Sequence, residues 1–214
     1  MNNGRGALEK LVVGLMIAVL FVNGFNIYQM QGMENGVAAN QVSGMANSVP
    51  NENDIQAGLV DVMPKGMPRI YGSELGVGYG DIDSSNQQKA DAAIKKLGML
   101  DQQIKLSGAD KDRYVRIVSG ISCEYCCGVE SIINKDGSAA CGCAHSFAMR
   151  GVAKYLIKNH PNEFTDDEIL EELSKWKILF FPSQMAQKAA VMEAKGIELD
   201  YTSLASNKYR GIEN

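Results

Sequence analysis

Apolar positions along this 214-residue chain follow three regimes. The first is continuous. No residue between Leu11 and Met33 is charged, and Leu11–Val22 (LVVGLMIAVLFV) is almost wholly apolar. A helix crossing a hydrocarbon core of about 30 Å needs about 20 residues. Leu11–Met30 supplies them when Asn23, Asn26 and Gln29 sit at the far interface, beside Tyr28 in the aromatic belt. Arg5 and Lys10 precede the run and only Glu34 soon follows it, so the charge bias places residues 1–10 in the cytoplasm and the chain beyond the 11–30 span outside. A cleaved secretory signal is the alternative, although Val22-Asn23-Gly24 makes a poor cleavage site. Both readings export the remainder.

The second regime has no period. Residues 31–61, rich in Gly, Asn, Ser and Val, predict a disordered tether, because small polar side chains bury too little surface to offset ordering entropy. Residues 62–85 carry Pro64, Pro68 and glycines at 66, 72, 76, 78 and 80, interspersed with Ile70, Tyr71, Leu75, Val77 and Tyr79. That mixture predicts an irregular strap lying on the folded part.

The third regime, 86–196, has the 3.6-residue period of one-sided helices. Ala93, Ile94, Leu97, Leu100 and Ile104 form the stripe of a helix over 86–104. Tyr114, Ile117, Val118 and Ile121 belong to a helix at 110–120, and Ala148, Val152, Tyr155 and Leu156 to one at 144–159. Ile169, Leu170, Leu173, Trp176 and Phe180 mark a helix at 166–180. Thr165 and Glu168 form a capping box at its start, stapled by Phe164 and Ile169. Asp166 and Asp167 meet the positive end of its dipole, so capping accounts for this acidic group without a catalytic role. Pro182 stops that helix, Ser183 caps a shorter one with Met185, Ala189 and Met192 buried, and Gly196 ends it. Residues 197–214 read as a loosely packed tail.

Length restricts this plan to one domain of about 100–150 residues plus appendages. At 45% apolar and 21% charged, the chain is not disordered throughout. A formal charge of -4 argues against nucleic acid as a partner. No phosphate-binding loop, nucleophile elbow or HExxH motif is present, which leaves nucleotide hydrolysis, esterase and zinc-protease chemistry unsupported.

The anomaly is cysteine. All five fall between 123 and 143. With His145, the residues Cys123, Cys126, Cys127, Cys141 and Cys143 make six soft or borderline ligands. Two residues between Cys123 and Cys126 allow a tight turn that aims both thiolates at one point. Val129–Ile133, the turn Asn134-Lys135-Asp136-Gly137 and Ser138–Cys141 predict a short β-hairpin that returns Cys141, Cys143 and His145 to a helix start. This is a treble-clef-like arrangement. The expected set is Cys123, Cys126, Cys141 and either Cys143 or His145, holding Zn(II) or Cu(I), with Cys127 a fifth ligand or a neighbouring thiol. Export equally allows disulfides, and CxxC a redox pair. Arg150 and Lys154 are solvated charges or thiolate stabilisers on this reading, and His160 a cap or surface residue.

The segment from Ile121 to Pro182 (ISCEYCCG, then ACGCAHSFAMRG, then FTDDEILEELSKWKILFFP) resembles a group of uncharacterised, membrane-anchored archaeal proteins with a CxxCC…CxCxH signature. The resemblance implies export and metal binding. A fainter similarity, through Asp167-Glu168-Ile169 and Phe181-Pro182, runs to the thiol-reducing subunits of cytochrome c maturation. From these observations the chain is expected to be a mostly α protein: a transmembrane helix, a tether, and a helical domain at 86–196 with its Cys-rich site at 122–146. Three functions follow: an extracytoplasmic metal-binding protein, a thiol–disulfide oxidoreductase, or a scaffold whose site is purely structural.

Overall fold

A computed structural model describes residues 62–214, so the expected 11–30 span and 31–61 tether lie outside the described residues. Seven α-helices organise this part: α1 (Tyr71–Leu75), α2 (Gln87–Gln103), α3 (Gly108–Val118), α4 (Ala144–Asn159), α5 (Asp166–Phe180), α6 (Pro182–Ala194) and α7 (Tyr201–Ala205). None is long and apolar enough to cross a membrane.

Helix α4 is the central element, packing on α2, α3 and α5. Its pairing with α2 is the most extensive, because glycines occupy the crossing: a Cβ on Gly151 would run into the Leu97 carbonyl, and one on Gly98 would lie 3.3 Å from Phe147 Cβ. The α2 stripe is rotated slightly from its expected face. Ala90, Ala93, Leu97 and Asp101 are buried, whereas Ile94, Leu100 and Ile104 are only half-buried. Asp101 occupies the apolar face because Arg150 and Lys154 meet it at 2.9 and 2.6 Å. Those two α4 cations are therefore bound to a buried carboxylate rather than solvated.

Helix α5 starts where its sequence dictates. Thr165 Oγ1 accepts from the Glu168 amide, and Glu168 Oε2 accepts from the Thr165 amide. Pro182 does end α5, but as the first residue of α6, whose N-cap, Phe181, makes no side-chain bond. The strap packs deeply: Tyr71 and Tyr79 are buried, both donate to Glu172 Oε2, and Trp176 Nε1 donates to Tyr71 Oη. Residues 197–214 are not loosely packed throughout, since α7 buries Leu204 and Ala205 and a 3₁₀ turn follows at Asn207–Tyr209.

The expected β-hairpin is not present as strands. Among the described residues there is no strand, only a single antiparallel bridge between Ile133 and Ala139. Gly137, at φ +80°, closes the turn below it by donating to the Asn134 carbonyl. Two bonds cross the turn, from Asn134 N–H to the Ser138 carbonyl and from Ala140 N–H to the Ile132 carbonyl, but the pairing extends no further: Ile132 N–H donates to Ile121, and Arg150 Nη1 donates to the Ile132 and Cys141 carbonyls.

Candidate metal and thiol centre

Two short backbone features bring the cysteines together. The Cys123–Cys126 segment is a turn closed by the Cys126 amide donating to the Cys123 carbonyl at 2.9 Å. Cys143 is the N-cap of α4, its Sγ accepting from the Ser146 amide at 3.3 Å and lying 3.3 Å from the Ser146 hydroxyl. Arg150, one helical turn beyond Ser146, holds the Cys141 carbonyl at 2.9 Å and so ties the returning segment to α4.

The sulfurs of Cys123 and Cys143 lie 3.3 Å apart, and a ring nitrogen of His145 joins them with all three donors within 4.8 Å of one another. A second group, Cys126, Cys127 and Cys143, meets the same limit, so Cys143 belongs to both. Cys127 and Cys141 form a disulfide, leaving Cys123 buried, Cys126 exposed and Cys143 half-buried as free thiols. In this oxidation state the expected ligand set loses Cys141, and Cys127 is neither a fifth ligand nor a free neighbouring thiol.

The two close thiols share one proton unequally. Cys143 is held well below the usual thiol range by the hydrogen bond from Cys123, with help from His145 and Ser146, against the effect of burial. Cys123 is pushed up by that same bond and by burial. The site therefore presents one preformed thiolate at a helix N-terminus, where the dipole favours negative charge.

The donor set also suits a cation. His145 Nδ1 is buried without a hydrogen-bond partner, although buried polar atoms ordinarily have one. Its ring packs between Phe180 and Phe181, with centroids 4.8 and 4.9 Å away, which fixes its direction. The residue also borders a cleft of about 500 Å³ lined by Tyr79, Ile94 and Leu179. Two thiol sulfurs and an imidazole are the ligands that select Zn(II) and Cu(I).

Beneath the turn lies a charged group absent from the expected set. Glu124 Oε2 is 3.0 Å from Lys177 Nζ and 3.5 Å from Lys188 Nζ, and both lysines are fully buried. Burial opposes ionisation of Glu124, but the lysines and the Gly211 amide outweigh it and hold its carboxyl below the ordinary range. Burial pushes Lys177 down to about 8, against the attraction of Glu124. Two ammonium groups facing one carboxylate leave a single excess positive charge next to Cys123. A sequence signal for this exists: Lys177 follows Leu173 by one turn on the apolar stripe, and Lys188 sits between Met185 and Met192 on another. The C-terminal segment completes the surround, with Arg210 donating to the Gly128 carbonyl and Tyr125 to Glu213 Oε1. His160 is a C-cap, as expected, with Nε2 2.8 Å from Glu74 and no role at the thiols.

No family model, curated protein or solved structure matches the chain.

Proposed function

We propose that this chain is a membrane-anchored, extracytoplasmic protein that binds a soft metal ion through Cys123, Cys143 and His145. The observation carrying the proposal is the convergence of two sulfurs and a ring nitrogen of His145 within 4.8 Å, on an imidazole whose buried Nδ1 has no hydrogen-bond partner. Charge favours Cu(I) over Zn(II). Two thiolates with Cu(I) carry a net charge of -1 and offset the excess cation of Lys177, Lys188 and Glu124, whereas two thiolates with Zn(II) are neutral and leave it unmatched. The Cys127–Cys141 disulfide supports an oxidising compartment, in accord with export by the apolar 11–30 segment.

Full-length protein, purified in detergent under anaerobic conditions without chelator, should carry about one equivalent of copper or zinc per chain. Cys123→Ser should abolish that content, and His145→Phe should weaken retention against a competing chelator. Metal-free wild-type protein that takes up neither ion would overturn the reading.

A second reading, thiol–disulfide exchange, draws on the thiolate character of Cys143 and its sulfur lying within 4.8 Å of the disulfide-bonded Cys127. Reduction of insulin by the pre-reduced protein, abolished by Cys143→Ser, would favour it.

A further inference from the structure

We propose that the Cys127–Cys141 disulfide gates a second soft-metal site, formed by Cys126, Cys127 and Cys143, so that reduction turns a one-ion centre into a two-ion centre bridged by Cys143. The inference rests on the reading of Cys123, Cys143 and His145 as the first site.

Cys143 is common to both groups of donors, and each group lies within 4.8 Å. A thiolate has more than one lone pair and can bridge two Cu(I) ions, so sharing Cys143 is chemically ordinary. What separates the groups is the state of Cys127. Bonded to Cys141, its sulfur is no thiolate and cannot serve as an anionic donor; reduced, it is a ligand already beside Cys126 and Cys143.

The backbone on both sides of the disulfide has independent anchors. On the Cys127 side, Cys126 is tied to Cys123, Arg210 to Gly128, and Glu124 to the Gly211 amide. On the Cys141 side, Arg150 holds the carbonyl. Loss of the cross-link therefore leaves the Cys127 sulfur near its present partners.

Access favours the same order of events. Cys127 is exposed and Cys141 buried, so an external dithiol meets the Cys127 sulfur first. Its thiolate attacks Cys127, the S–S bond breaks, and Cys141 leaves and takes up a proton. The second thiol of the reductant then displaces Cys127 and closes the reductant's own disulfide. Two electrons and two protons have then passed to the protein, giving two cysteine thiols. Cu(I) entering at Cys126 and Cys127 displaces their protons to solvent.

The test is anaerobic titration of the full chain with Cu(I) against bicinchoninate, before and after reduction by a phosphine that is then removed. Thiol counts in denaturant should rise from three to five, confirming the redox state. Oxidised protein should bind one Cu(I) and reduced protein two, with a Cu–Cu scattering shell in X-ray absorption only for the latter. Cys126→Ser should return the reduced protein to one Cu(I). Cys141→Ser, which frees Cys127 permanently, should bind two without reductant. One Cu(I) in both redox states would overturn the gate and leave the first site standing. No binding in either state would refute the first site and the gate together.

Discussion

Glu124 follows Cys123 directly, and the two lysines beneath it make its carboxylate the compensating charge of a buried group. Removing one partner of a buried ion pair exposes the uncompensated charge of the other, which typically costs about 3–5 kcal/mol. Glu124→Gln, leaving Lys177 and Lys188 without an anion, should therefore destabilise the metal-free protein by roughly that amount in urea denaturation. Lys188→Met leaves a balanced Glu124–Lys177 pair and should be neutral or stabilising, yet weaken Cu(I) binding because the excess positive charge is gone. Equal destabilisation by both substitutions would refute this charge balance. The cysteine positions were legible because a ligand-type side chain announces itself. The lysines were marked only by their places on apolar stripes, beside Leu173 and between Met185 and Met192; Lys on a helix is ordinarily solvated, and packing alone decides that these two are fully buried.

At the scale of elements, the crossing of α2 and α4 sets where Cys143 and His145 lie, since both begin from the first turn of α4. Gly151→Ala raises helix propensity by about 1 kcal/mol, but its methyl group would strike the Leu97 carbonyl. Overpacking of this kind costs about 1–3 kcal/mol or more, so the variant should lower the urea midpoint despite the better helix former. An unchanged or higher midpoint would mean that α2 and α4 do not approach closely. The bounds of α4 and α5 were readable in advance, because period and caps depend on residues a few positions apart. The hairpin is shorter than its residues predict. Its β-favouring residues are present and two bonds cross the turn, but Ile132 N–H turns to the Ile121 carbonyl and Arg150 holds the Cys141 carbonyl, so no ladder extends beyond them.

For the whole molecule, acid should be destabilising. Asp166 is lowered by its hydrogen bond with Arg113, Glu168 by the Thr165 amide, Asp136 by Ser138 and Glu74 by Tyr155. Each folded carboxyl lies below its unfolded value of about 4, so the unfolded chain takes up protons first as pH falls. Their contribution is full above that value and is lost as pH drops through the folded ones. The urea midpoint of the metal-free protein should fall between pH 6 and pH 3, less steeply in Asp166→Asn. A midpoint independent of pH over that range would contradict these pairings.

Short-range physics made much of this protein readable from its residues alone: the 3.6-residue stripes, the Thr165–Glu168 box, the Cys123–Cys126 turn and a cysteine-led helix start each involve neighbours within one or two turns. The tertiary structure alone decided which thiols remain free, that Tyr71 and Tyr79 of the strap close over Glu172, and that the C-terminal segment grips the cysteine turn. Those outcomes depend on groups beyond one or two turns of each other, from 14 positions for Cys127 and Cys141 to 101 for Tyr71 and Glu172. At such separations neither periodicity nor propensity carries information, and only the shape of the packed core selects the partner.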